Sequence, residues 1–281
     1  MLGAASKPAV AAGVLLPTLA LLAVVVARGW SPTAAPKAMN AMKAFPTSST
    51  DITREAAEIA SWLRLTPGSS ICEIGGGNGT LLKNLLPRVL PGGHYYGTGL
   101  TEVETGAMLK AASKVPGANT DADVNVYVAK ELASGLPVGV CDAMVLRMVY
   151  HMLPNPKEYL ADFKKAIKPD GLLFIMEHNP DNGKTTREGA KLSVQMMGKR
   201  MDMPVVPDQA LIEELTAVGF KLVDELMPFS WAYFGGEHYV KGSGNGYMTL
   251  FKKKPLCNCA CGQATGQCGA GCTKCDCEGC S

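Results

Sequence analysis

Three groups of residues in this chain have types and spacings suited to chemistry. The first is Glu73, Gly75, Gly76, Gly77, Asn78 and Gly79, an acidic residue and four glycines within seven positions. Glycine lets a backbone turn through positive φ and come close to a ligand with no Cβ in the way. A helix starting just beyond would present its N–H groups to an anionic group. The dinucleotide pattern G-x-G-x-x-G is not met, because position 80 is Thr80, and no Lys follows as a phosphate loop requires. The second group is Arg147, Tyr150 and His151 together with Glu177 and His178, each set trailing an apolar run. Histidine is the natural proton acceptor near neutral pH, so His151 and His178, with Tyr150 and Glu177, are the candidate catalytic residues. The competing reading is that Tyr150 and His151 begin the next helix and pack there. No G-x-S-x-G nucleophile elbow occurs.

The third group is a run of thiols: Cys257, Cys259, Cys261, Cys268, Cys272, Cys275, Cys277 and Cys280. No aliphatic residue larger than alanine lies among them, so the segment cannot build a core. Closely spaced thiolates suit Zn or another thiophilic metal, which would relieve their mutual repulsion. Disulfides are the alternative, should the tail face an oxidising compartment.

The elements that must position these groups alternate between strand and helix. Strands are expected at 70–74, 94–98, 124–129, 142–146, 172–177, 220–226 and 246–252. Helices are expected near 52–63, at 80–86 (ending at Pro87), 104–114, 157–167 and 209–218. This pattern specifies an α/β, Rossmann-like, mostly parallel seven-stranded sheet with helices on both faces. Ligands of such sheets bind at the carboxyl ends of the strands. Met196, Met197, Met201 and Met203 are expected to fill a helix face. The aromatic stretch 231–239 reads either as a lid over an apolar substrate or as a connection packed on itself.

Composition bounds the rest. Of 281 residues, 47% are hydrophobic and 19% charged, which excludes global disorder, and a net charge of +2 gives no footprint for nucleic acid. Residues 9–27 carry no charge and nearly span a hydrocarbon core at about 1.5 Å per residue. Residues 1–30 therefore read as an apolar transmembrane helix and anchor, or else as a cleaved or organelle-targeting segment. Arg28, Lys37 and Lys43 outnumber Lys7, favouring a domain on the cytosolic side. Residues 31–49 form a linker, 50–254 the globular domain and 255–281 the cysteine-rich tail.

The first motif, Glu73 followed by Gly75, Gly77 and Gly79, resembles that of the class I S-adenosylmethionine-dependent methyltransferases. The resemblance extends to 142–146 as the family's fourth strand, to 165–173 as its "LKPGG" approach to the fifth, and to 217–220 as its "AGF" approach to the sixth. Residues 150–154 are similar to a group of bacterial predicted methyltransferases. The resemblance implies S-adenosylmethionine as cofactor, with Glu73, Gly75, Gly76, Gly77, Asn78 and Gly79 near its methionine part. Thr101, Glu102, Lys130 and Arg147 are further candidates for holding it. Two departures stand out: the carboxylate expected at the end of the second strand is replaced by Gly99, with Glu102 three residues on, and Ala129-Lys130-Glu131 stands where an acid near the adenine is common. The tail resembles metallothioneins in spacing. The leading reading is thus a membrane-tethered methyltransferase acting on a small molecule, with a metal-binding tail. The alternatives are a metal-sequestering or metal-sensing protein with an inactive domain, or a methyltransferase for a metalloid such as arsenite.

Overall fold

The computed structural model describes residues 49–196, 199–223, 227–229 and 246–254. The apolar N-terminal segment, its linker, the aromatic stretch 231–239 and the eight tail cysteines lie outside the described residues. Among the described residues no helix is long and apolar enough to cross a membrane.

The chain begins with α1 (Ser49–Trp62) and β1 (Ser70–Ile74), then α2 (Leu82–Val89), β2 (His94–Gly99), α3 (Glu102–Ala112), the short α4 (Thr120–Asp123) and β3 (Val124–Val128). It continues through β4 (Cys141–Arg147), a 3₁₀ turn at Tyr150–Met152, α5 (Pro156–Ala166), β5 (Ile167–His178), β6 (Lys191–Met196) and β7 (Lys199–Pro204). The last elements are α6 (Asp208–Ala217), β8 (Phe220–Leu222), β9 (Met227–Phe229) and β10 (Gly246–Lys253). The main sheet runs β3-β2-β1-β4-β5-β10-β8, with β9 paired to β10. Strands β3 to β5 along this path are parallel to one another, and β10 is antiparallel to both its neighbours.

Alternation along the central strands explains the layering, since successive side chains of a strand point to opposite faces. Ile71, Ala143, Val145, Phe174 and Met176 pack with Ile59, Leu82, Leu85 and Met108 of α1, α2 and α3. Cys72, Met144, Leu146, Leu173 and Ile175 pack on the other face with Leu160 and Phe163 of α5 and Leu211 and Leu215 of α6. Cys72 on β1 and Cys141 on β4 are both buried and form a disulfide.

Two expectations are corrected. Helix α2 runs past Pro87 to Val89, because Leu85, Leu86 and Val89 are buried and hold it to the sheet. The segment with Met196, Met201 and Met203 is a β-hairpin, β6 with β7, and not a helix face. Lys191 to Met196 alternates polar and apolar residues, and the register pairs buried Leu192 with buried Met203.

Helix α3 docks by close approach. A Cβ at Gly79, where φ is +75°, would lie 2.6 Å from the Ala111 Cβ. Gly79→Ala should therefore cost about 2–3 kcal/mol, the left-handed backbone contributing about 1–2 of it. The melting temperature should fall by roughly 5–10 °C in thermal denaturation. Gly106→Ala, also on α3 but with no described atom within 4 Å, should instead leave stability unchanged or raise it by about 0.5–1 kcal/mol.

Candidate active site

At the carboxyl end of β1 the chain turns through Gly75, Gly77 and Gly79, with φ of +72°, +55° and +75°. Thr98 on β2 fixes the turn. The Gly75 N–H donates to the Thr98 hydroxyl (3.1 Å), and the Gly76 N–H donates to the Thr98 carbonyl (2.9 Å). Asn78 accepts the Thr80 N–H at 3.1 Å and also the Thr80 hydroxyl, closing the turn onto α2. Among the described residues, a Cβ on Gly77 would meet nothing nearer than the Gly75 carbonyl at 4.0 Å. Glu73 lies buried under the loop, and its Oε2 has no hydrogen-bond partner among the described residues. Burial pushes its carboxyl up to about 8, with Arg147 opposing the rise and Glu55 adding to it.

The neighbouring strand, β2, presents Gly97 and Gly99 to α3. A Cβ at Gly97 would fall 2.1 Å from Met108 Cε, and one at Gly76 2.3 Å from the same atom. Met108 thus occupies a slot made by two absent side chains. One helical turn earlier, Glu104 sits against Gly99, and its Oε2 accepts the Leu100 N–H at 2.5 Å. Thr101 caps α3, accepting the Glu104 N–H at 3.3 Å. Glu102 is exposed on the first turn, and Lys130 is exposed with its backbone bridged to Ala133. The residue missed from sequence is Glu104, although Thr101-x-x-Glu104 has the form of a capping box whose glutamate reaches back along the chain.

At the ends of β4 and β5 the charges gather. Glu55 of α1 is fully buried and receives both Nε and, at 2.8 Å, Nη2 of Arg147. This two-pronged pair ties α1 to the carboxyl end of the central strand β4 and occupies one side of the guanidinium. Met148 follows at φ +55° while buried, a conformation that non-glycine residues adopt at a cost. The turn it starts brings His151 to Glu177. The His151 N–H donates to Glu177 Oε1 (3.1 Å), and Nδ1 lies 2.9 Å from Oε2. A carboxylate there selects the Nδ1–H tautomer and leaves Nε2 as the basic nitrogen. His178 is buried, and desolvation followed by the charges of His151 and Arg147 pushes it down to about 3.

Tyr150 is placed differently. It is fully buried, its hydroxyl donates to Glu214 Oε2 of α6 at 2.6 Å, and the Arg187 guanidinium lies 5.1 Å over its ring. Arg187 forks onto both oxygens of Glu214 (2.9 and 2.8 Å). Burial, then the Glu214 charge, holds the phenol well above its ordinary range. Of the sequence-derived candidates, then, the structure joins His151 to Glu177 and commits the Tyr150 hydroxyl to α6. Among the described residues no group of three or more His, Cys, Asp or Glu could hold a metal ion.

The buried groups give stability a pH dependence of known sign. Glu73 is raised from 4.5 to about 8. The folded chain therefore holds more protons than the unfolded one between those values, and stability falls as pH rises. His178, lowered from 6.5 to about 3, acts oppositely: stability is lost as pH falls below 6.5. Between 6.5 and 8 Glu73 outweighs His178, whose unfolded form is at most half protonated there. In that interval the melting temperature should fall with pH in the wild type, and Glu73→Gln should flatten the fall, as thermal melts across the pH series will show.

The comparisons with known proteins agree with this architecture. The 1,6-didemethyltoxoflavin-N1-methyltransferase of Burkholderia thailandensis superposes with a TM-score of 0.53 at 16% identity, covering 89% of this chain and 93% of that one. A SAM-dependent methyltransferase from Aquifex aeolicus gives 0.50 at 16% identity, covering 73% and 98%. The [4+2]-cyclase SpnF gives 0.53 at 14% identity, covering 72% and 80%. These likenesses establish a shared fold. No curated protein matches the sequence significantly. The methyltransferase domain family matches residues 49–225, more than half of the chain and the whole span from α1 through β8, and to that family the chain belongs.

Proposed function

We propose that this chain transfers a methyl group from S-adenosylmethionine to a small-molecule acceptor that gives up a proton to His151. The observation that carries the reading is the loop from Gly75 to Gly79, three of whose glycines have positive φ, standing open at the carboxyl end of β1 between β2 and β4. The residues present fit the cofactor. Backbone at Gly77 can be approached without a side chain, and the buried carboxyl of Glu73 sits directly beneath.

When bound, S-adenosylmethionine supplies a methyl group activated on a sulfonium. The protein's part is to orient the acceptor, exclude water and take up a proton. His151 suits the last task. Glu177, fully buried, engages both the His151 backbone and Nδ1, so the ring is held in one orientation with Nε2 available as base. His178, kept neutral, adds no second charge beside it.

The ends of the chain carry separate roles in this reading. Residues 1–30 tether the domain to a membrane, supported by the uncharged run 9–27. The eight tail cysteines hold Zn or another thiophilic metal, supported by their C-x-C and C-x-x-C spacing.

Calorimetric titration of S-adenosylmethionine into the full chain tests the reading. Micromolar binding is expected, abolished by Gly77→Arg with the fold retained by circular dichroism. A folded wild type that does not bind overturns it. With an acceptor found by screening, His151→Ala should lower kcat/KM about 100- to 10,000-fold with cofactor affinity unchanged. Elemental analysis should find thiophilic metal with the full chain and none after removal of residues 255–281. Equal metal content in both would rule the tail out.

A further inference from the structure

We propose that Glu104 is the carboxylate that grips the ribose hydroxyls of the bound cofactor, an assignment that rests on reading the loop from Gly75 to Gly79 as the cofactor site. In nucleotide-binding sheets of this kind an acidic residue about twenty positions beyond the glycine loop, at the end of the second strand, accepts hydrogen bonds from the ribose. That place in this chain is Gly99, which has nothing to offer. The structure shows why nothing else could stand there. A Cβ at Gly99 would lie 2.9 Å from Glu104 Cβ, 3.2 Å from Glu104 Oε2 and 3.4 Å from the Thr105 nitrogen. An acid at 99 and Glu104 as it stands exclude one another, and the Glu104 carboxylate fills the space that the missing side chain vacates.

The group is also held in place. Glu104 Oε2 accepts the Leu100 N–H at 2.5 Å, and the Glu104 backbone N–H is tied to Thr101. One turn on, Met108 is wedged between Gly76 and Gly97. A carboxylate has two oxygens and about four lone-pair sites, so one bond to Leu100 leaves capacity for a vicinal diol. Glu102 is exposed on α3 and is not the residue found against Gly99.

The full chain is titrated calorimetrically with S-adenosylhomocysteine and with its 2′,3′-dideoxy counterpart. Glu104→Gln, which keeps an acceptor for the Leu100 N–H, should weaken S-adenosylhomocysteine binding about 10- to 100-fold. It should leave the affinity for the dideoxy compound unchanged. The double variant Gly99→Asp/Glu104→Gly, which also removes the Cβ that a side chain at 99 would meet at 2.9 Å, should recover most of the lost affinity, the acid now rising from the strand. An equal loss for both compounds marks Glu104 as a helix cap alone and overturns the proposal, as does no loss at all. A wild type that binds neither compound overturns the cofactor reading, and this assignment with it.

Discussion

The active end of this molecule depends on how closely α3 can lie against β2 and the glycine loop. Four positions without side chains, Gly76, Gly79, Gly97 and Gly99, face α3, and a Cβ at any of them would fall within 3 Å of Met108, Ala111 or Glu104. The geometry is a match of periods. Two residues of strand advance about as far as one turn of helix, so Gly97 and Gly99 meet Met108 and Glu104 in register. The dispersion and burial of Met108 then hold the helix down while the loop above is kept in its positive-φ course by Thr98. A side chain at Gly79 or Gly99 would meet Cβ atoms fixed to the helix and lift α3, moving the loop and the Glu104 carboxylate with it, whereas one at Gly76 or Gly97 would displace the tip of Met108.

The second constraint is electrostatic. Glu55, Glu73, Arg147, Glu177 and His178 all lie near the ends of β1, β4 and β5, and four of these five are buried. Charges so placed are tolerated when paired and hydrogen-bonded, and otherwise neutralise. Both solutions occur here. Arg147 and Glu55 pair through two hydrogen bonds, and Glu177 engages His151 twice, whereas Glu73 is driven toward its protonated form and His178 toward its neutral one. Fixed dipoles and charges of this kind need no reorganisation when a ligand arrives. This explains why a structure would keep them at a site despite their cost to folding.

Much of this was legible in the sequence because it is written in local patterns. Strand runs bounded by glycine and proline located all seven strands of the sheet's main path to within a few residues, and the glycine cluster after the first strand marked the loop. What was not legible depended on pairings between elements. Gly99 read as a lost carboxylate, and only the packing of α3 shows that Glu104 occupies the vacated space. The methionines of the β6–β7 hairpin read as a helix face, because residue type was weighed above the period-two alternation of Lys191 to Met196. The sequence holds no local mark that Cys72 and Cys141 are joined. Their union requires β1 and β4 to be neighbours, which 69 residues of separation conceal. Arg147 and Tyr150 read as facing a ligand, and the structure engages them with Glu55 and Glu214, on helices far away in the chain.

A sheet of this order does not by itself decide a reaction, since a [4+2]-cyclase has the same fold. The decision lies in groups at the strand ends whose arrangement the fold does not demand. Packing alone gives no reason for a fully buried glutamate to spend both oxygens on one histidine, one on its backbone and one on its ring. That arrangement costs desolvation and is recovered only in part by two hydrogen bonds. What it secures is a histidine in a defined tautomer with its second nitrogen directed elsewhere. Such a base helps an acceptor whose attacking atom must lose a proton, such as a hydroxyl or an N–H. It offers nothing to a thioether or a tertiary amine. With His151 as the proposed base, the His151–Glu177 pair narrows the acceptor by chemistry where the fold does not.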